Sequence, residues 1–178
     1  LGIGVEYYSR PVGYQERIRQ IEETADQILQ VDGPLCYLTT SDAYDRALAT
    51  AFEEAASQAA EPTVARATAE QVLGILAARK RMFGIRKPGI IAIVSLHRLH
   101  AFLAGGIAAG MALSERTIRL CREVAAAEVA HIAALMDAEP MGLQFGLLLA
   151  TEPTARFKIL RARDRASILP EDPLHVAA

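Results

Sequence analysis

The sequence predicts a mostly α-helical protein, a helical domain with an αα-hairpin or a helix-turn-helix in its C-terminal half. Of the 178 residues, 52% are hydrophobic and only 6% are aromatic, with no tryptophan. Alanine is abundant, and this balance suits packed helices better than a sheet-dominated fold. Apolar residues also recur at intervals of three and four along several segments, which is the spacing of one helix face. A chain of this length and apolar content is expected to form one domain with a substantial core.

Three helices are predicted in the N-terminal half. The first begins at Tyr14 and ends at the turn VDGP. Its apolar stripe consists of Tyr14, Ile18, Ile21, Ala25 and Ile28. Ser41 supplies an N-cap oxygen for the second helix, which Pro62 breaks. The third helix begins at Thr63 and ends near Gly84.

The C-terminal half begins with the most apolar segment of the chain, residues 89–113. Ser114 is predicted to cap a long helix that continues to about Asp137, so residues 97–137 are expected to hold a helix hairpin. Two extended segments, LQFGLLLAT and RFKILRA, follow this helix and would suit a β-hairpin. In the alternative fold, a small mixed α/β domain, the strands are LCYLTT, IIAIVS and FGLLLA.

Charge divides the chain into two parts. Residues 1–78 hold 5 Lys or Arg against 12 Asp or Glu, whereas residues 79–178 hold 14 against 9. We therefore expect an acidic N-terminal helical part, residues 1–84, that dimerises or senses a signal, and a basic C-terminal part, residues 85–178. An excess of positive charge on one part indicates an anionic partner for that part.

Residues 107–121, IAAGMALSERTIRLC, have the pattern of a helix-turn-helix. Two short helices locked at a fixed angle need apolar residues at set positions around a turn. Those positions are taken by Ile107, Met111, Leu113, Ile118 and Cys121. Within this stretch, LSERTIR at 113–119 resembles the start of the recognition helix in bacterial helix-turn-helix transcription regulators.

The resemblance implies a cytoplasmic DNA-binding transcription regulator that reads duplex DNA with residues 107–121. The residues that it places toward the groove are Ser114, Glu115, Arg116 and Arg119. Arg122 continues the series of arginines at every third position, which predicts a basic ridge on the outer side of the helix. The basic cluster at residues 79–87 adds further DNA contacts, chiefly through Arg79, Lys80 and Arg81.

A structural or interaction protein is the alternative function. In that case residues 107–121 form a plain helix hairpin, and the apolar segment 89–113 packs against a second copy or another protein. A homo-oligomer is expected, because a lone protein of this size rarely exposes so large an apolar surface. A membrane span over the same segment is not favoured, since Arg98 would lie inside the bilayer at a cost of about 2.5 kcal/mol or more.

A metal protein is the third candidate function. Glu128 and His131 have the Glu-x-x-His spacing of di-iron carboxylate bundles. At about 100° per residue, both side chains point away from the centre of the apolar stripe, so we expect them on the solvated edge of the helix and predict no metal or cofactor. The two cysteines, Cys36 and Cys121, have neither metal nor redox spacing.

No reaction is predicted, because no nucleophile and base can be paired from the sequence alone. The chain is expected to be non-enzymatic. The first ten residues, LGIGVEYYSR, lack the basic start and apolar run of a secretory signal. A reduced, cytoplasmic protein is therefore expected.

Overall fold

The computed structural model describes residues 6, 8, 10–31, 33–149 and 156–170. In these ranges the helices are α1 (Pro11–Glu22), α2 (Asp42–Ser57), α3 (Pro62–Arg86), α4 (Leu96–Gly105) and α5 (Glu115–Ala138), with a 3-10 helix at Tyr37–Thr39. The strands are β1 (Gln27–Val31), β2 (Gly89–Ser95), β3 (Leu143–Leu148), β4 (Phe157–Arg161) and β5 (Ala166–Pro170). The protein is therefore a mixed α/β structure.

The five strands form one sheet in the order β3-β2-β1-β4-β5. Strands β1, β2 and β3 are parallel, with Leu29 beside Ile91 and Ile91 beside Gln144. Strand β4 pairs antiparallel with β1, and β5 pairs antiparallel with β4 as a hairpin. Half of the sheet therefore has parallel topology and the other half is antiparallel.

The helices form one connected layer. They contact one another in the series α1, α3, α2, α5, α4. Helices α2 and α3 join β1 to β2, and α4 and α5 join β2 to β3, so both crossovers move in the same direction across the sheet. Because parallel crossovers are almost always right-handed, two that move in the same direction place their helices on the same face. The topology thus covers one face of the sheet.

The core lies between this layer and the covered face. Strand residues at alternate positions contribute Ile28, Ile90, Ala92, Leu143 and Leu160. The helices meet them with Ile21, Tyr44, Leu48, Val72, Leu76, Phe102, Val124 and Ile132. Burying these side chains from water is the main favourable contribution to folding.

The prediction of a mostly α-helical protein is wrong, because five strands form in the described residues. The first predicted helix ends at Glu22, and Ile28, which matched its stripe, lies in β1. Of the alternative strands, IIAIVS forms β2 and FGLLLA overlaps β3, whereas LCYLTT contains the 3-10 helix. The hairpin predicted from the two C-terminal segments is also wrong, since β3 pairs with β2 and β4 pairs with β1 and β5.

The helix-turn-helix in the C-terminal half is wrong as a fold prediction. Residues 107–114 form turns and irregular backbone between α4 and α5, so the first of the two short helices is missing there. Ser114 does cap α5, since its side chain accepts a hydrogen bond from the Thr117 N–H. Helices α4 and α5 pack as a pair across Gly106, which lies against the α5 backbone at Cys121.

Candidate functional site

The N-terminus of α5, predicted to enter a DNA groove, is occupied by a carboxylate from α2. Glu54 accepts hydrogen bonds from the backbone N–H and hydroxyl of Ser114 and from the hydroxyl of Thr117. These bonds lower the pKa of Glu54 below its usual range, the Thr117 hydroxyl being the largest cause and the Ser114 backbone the next. The Ser114 N–H and the two hydroxyls at this helix N-terminus are thus already bonded within the protein, and the Glu54 carboxylate beside them disfavours a phosphate.

Arg116, Arg119 and Arg122 are exposed on α5, as is Glu115. Arg116 and Arg119 line an open groove of ≈ 700 Å³ between α2 and α5, together with two carboxylates, Glu54 and Glu123. The basic ridge predicted for DNA binding thus lies on an exposed side of α5, and its contact with DNA stays a prediction. Acidic side chains adjoin it, which lowers its attraction for an anion.

The cluster predicted at residues 79–81 divides between the interior and the surface. Arg79 is only 1% exposed, and its guanidinium donates to both oxygens of Glu22 at 2.8 and 2.9 Å. Lys80 donates to Asp45 Oδ2 at 2.7 Å and to the Ser41 carbonyl at 3.1 Å.

Arg81 alone of these three residues is exposed. The Arg79 guanidinium carbon lies 5.5 Å from the centre of the Tyr37 ring, and the Lys80 side-chain nitrogen lies 5.2 Å from it. Through these contacts, Arg79 links α3 to Glu22 of α1, and Lys80 links it to Asp45 of α2.

Glu128 lies inside the protein rather than on the solvated edge that its helical phase predicted. It is 1% exposed and accepts hydrogen bonds from the backbone N–H of Ser41, at 3.0 Å, and from the Ser41 hydroxyl. His131 is half-buried and does not join it in a ligand group. Within the described ranges, no three His, Cys, Asp or Glu side chains cluster closely enough to hold a metal ion. Glu128 therefore fixes the start of α2 against α5.

An apolar surface that none of the described helices covers lies on the second face of the sheet, here called the open face. Its central row crosses all five strands, because Gln144, Ile91, Leu29, Ile159 and Ile168 are neighbours in the register. The next row contains Gly146, Ile93, Phe157 and Pro170, with Val31 beside Phe157. These two rows form a continuous aliphatic and aromatic surface.

The side chains of the open face remain accessible to solvent. Ile168 is 71% exposed, whereas Leu29, Ile91, Ile93 and Ile159 are half-buried. None of them belongs to a core cluster. Among the described strand positions of this face, Arg161 carries the single charge, and it lies at the end of β4.

This face was not predicted from the sequence, although the sequence of β2 contains one signal for it. Strand β2 reads GIIAIVS, with isoleucines on the open face as well as apolar residues on the covered face. Strands that are apolar on both sides are typical of parallel sheets that are covered on both faces. The composition of β2 is thus typical of a strand whose sheet is covered on both faces, whereas the described helices cover one face.

Comparisons of the chain with protein-family models, with curated protein sequences and with solved structures find no match. Among the helices in the described ranges, none combines the length and the hydropathy that crossing a bilayer requires. The geometry of the chain itself therefore carries the functional argument.

Proposed function

We propose that this chain is a self-associating subunit, in which two copies pack the open faces of their sheets against each other. The observation that carries the proposal is the central row, where Ile91, Leu29, Ile159 and Ile168 are adjacent on four neighbouring strands. The largest contiguous apolar patches on globular proteins are often interaction sites. Two such sheets packed about 10 Å apart would form a four-layer α/β/β/α arrangement.

The size of the open face agrees with a reversible interface. Five strands at about 4.8 Å spacing and five residues at about 3.3 Å each give a footprint of about 24 by 17 Å, or about 400 Å² per copy. Two copies cover about 800 Å², which is below the range of roughly 1,200–2,000 Å² for stable specific interfaces. We therefore expect this interface alone to be weak and its occupancy to depend on protein concentration.

Charge favours a second copy as the partner. Because the centre of the open face has no charged group, it offers nothing for a partner of opposite charge to recognise. An apolar surface is complementary to another copy of itself. Leu29 pairs with Ile159 on β4, and Arg161 lies two residues further along β4. Arg161 is therefore at the end of the face, where its guanidinium reaches solvent. Two-fold symmetry is the commonest arrangement for identical subunits, and it needs a self-complementary patch.

The test uses a pair of substitutions matched for exposure. Ile168 on the open face is 71% exposed, and Ile85 at the end of α3 is 76% exposed. Ile168→Asp should lower the molecular mass measured by light scattering, because each interface would then bury two charges without partners. Ile85→Asp should leave the mass unchanged. If the two variants have the same mass as the wild type, the open face is not the interface.

DNA binding through Arg116, Arg119 and Arg122 stays a prediction. The observation in its favour is that these three arginines are exposed in one row on α5. Fluorescence anisotropy with duplex DNA at two salt concentrations tests it, because phosphate contacts weaken as salt rises. Equal binding by the wild type and by the triple Arg→Ala variant would contradict the prediction.

A further inference from the structure

The outer edge of β3 is unpaired among the described residues. On its inner side β3 bonds to β2, where the Ile90 N–H donates to the Gly142 carbonyl at 2.8 Å. Because the backbone groups of successive strand residues point to opposite sides, those of Phe145 and Leu147 point away from β2. The Leu143 N–H is consistent with this direction, since it donates to the Glu139 carbonyl rather than to β2.

This edge lacks the features that keep exposed edges from pairing. Residues 141–149, MGLQFGLLL, contain no charged residue and no proline. Leu147 is 54% exposed and Leu149 is 76% exposed, on the side of the sheet that faces the helices. Soluble proteins usually protect such an edge with lysine, proline, a bulge or a short strand. At the other edge of the sheet, β5 has five residues and ends at Pro170.

We propose that the β3 edge pairs antiparallel with β3 of another copy, which extends the sheet from five strands to ten. A two-fold axis normal to the sheet near Leu147 brings together the outward N–H and C=O groups of both strands. Directly paired residues of an antiparallel ladder point to the same face, so Phe145, Leu147 and Leu149 of one copy would pack beside the same three residues of the other. The exposed leucines would then cover one another.

This edge contact goes beyond the open-face contact and is compatible with it. The two-fold axis of face-to-face packing lies parallel to the sheet, whereas that of edge pairing is normal to it. Perpendicular two-fold axes generate a closed tetramer with D2 symmetry. The open-face contact is small by itself. In the tetramer, the edge contact would contribute main-chain hydrogen bonds and further buried apolar area. The expected assembly is therefore a tetramer of identical chains.

The experiment measures the mass of the full chain and of four variants by sedimentation equilibrium. Leu147→Lys places a charge at the edge, and Val64→Lys on α3 is its control, because Val64 is 57% exposed. The wild type and Val64→Lys should be tetramers, whereas Leu147→Lys and Ile168→Asp should each be dimers. The double variant Leu147→Lys/Ile168→Asp should be a monomer. Circular dichroism checks that each variant is folded.

The outcomes separate the two contacts. A Leu147→Lys variant with the mass of the wild type would overturn the edge pairing. A wild-type dimer that only Ile168→Asp dissociates would overturn it as well and leave the open-face contact standing. A wild-type dimer that only Leu147→Lys dissociates would support the edge and overturn the open face. A monomeric wild type would overturn both.

A proline substitution tests the hydrogen bonds separately from charge. The Leu147 N–H points away from β2, so Leu147→Pro removes a donor from the outer edge without removing one from the ladder with β2. We expect the same loss of half the mass as for Leu147→Lys. A folded Leu147→Pro variant that remains a tetramer would contradict pairing through this edge.

Discussion

At the scale of single residues, the interior contains ion pairs that local sequence patterns do not reveal. Arg79 belongs to a basic cluster that looked like a phosphate contact, yet its partner Glu22 is 57 positions away in the chain. Lys158 on β4 lies 3.8 Å from the same carboxylate. Pairings at such separations depend on the tertiary fold, so a helical phase or a run of basic residues cannot predict them.

The Arg79–Glu22 pair should matter for stability because both groups are buried. Removing Arg79 leaves Lys158, 3.8 Å away, as a remaining cation beside the buried Glu22 carboxylate, so the loss should lie at the lower end of the about 3–5 kcal/mol that is typical of a broken buried pair. We expect Arg79→Ala to lower the free energy of unfolding by about 3 kcal/mol in urea denaturation, whereas Arg81→Ala, at an exposed position, should change it little. A loss below about 1 kcal/mol for Arg79→Ala would contradict the buried pairing.

Tyr37 should make stability depend on alkaline pH. Burial raises the pKa of its hydroxyl above the ordinary value, and the nearby Asp45 carboxylate, 3.0 Å away, raises it further. The unfolded chain loses this proton near pH 10, whereas the folded protein keeps it. The stability is therefore complete below about pH 10 and decreases above it, by up to about 1.4 kcal/mol per pH unit.

The check on Tyr37 is urea denaturation from pH 8 upward, compared between the wild type and Tyr37→Phe. The phenylalanine variant cannot ionise at this position, so its decrease with pH should be shallower. Equal slopes for the two proteins would show that the Tyr37 hydroxyl does not titrate differently in the folded and unfolded states.

At the scale of helices and strands, the sequence predicted the helices better than the sheet. The caps at Ser41 and Ser114 were predicted correctly, because a side-chain oxygen before an apolar stripe is a local signal. Strand β1 was missed because Ile28 continues the helical spacing of Ile18 and Ile21. The burial of β1 alternates along the strand, but its sequence QILQV does not alternate between polar and apolar residues, because Gln30 is buried and Leu29 lies on the open face. No period-two signal therefore competed with the helical stripe.

The α4–α5 pair should depend on Gly106. Its φ is +84°, and an added Cβ would lie 2.8 Å from the Cys121 carbonyl carbon and 2.9 Å from the Arg122 nitrogen. Because both neighbours are backbone atoms of α5, Gly106→Ala should destabilise the protein by roughly 2–4 kcal/mol in thermal or urea unfolding.

The matched control is Gly74→Ala in the middle of α3. Apart from the backbone of its own helix, no atom lies within 4 Å of an added Cβ there, so the substitution should stabilise the helix by about 0.5–1 kcal/mol. If Gly106→Ala were as stable as the wild type, the close approach of the two helices at this point would be wrong.

At the scale of the whole molecule, the covered and open faces follow from the order of the strands. Residues of β2 that are apolar on both sides could be read from the sequence, but which side the helices cover depends on the direction of the two crossovers. The strand order is a non-local property of the chain. For this reason the sequence predicted that the apolar segment 89–113 packs against a partner. It did not reveal that Ile91 and Ile93 form one surface with residues of β1, β4 and β5.

The most direct test of the proposed self-association is sedimentation equilibrium of the wild type, Ile168→Asp and Ile85→Asp over a series of increasing protein concentrations, because a weak interface is occupied only at high concentration. The open face predicts a wild-type mass at a multiple of the 19.2 kDa chain, a lower multiple for Ile168→Asp, and no change for Ile85→Asp. A wild type that sediments as a single 19.2 kDa species under these conditions would contradict the account.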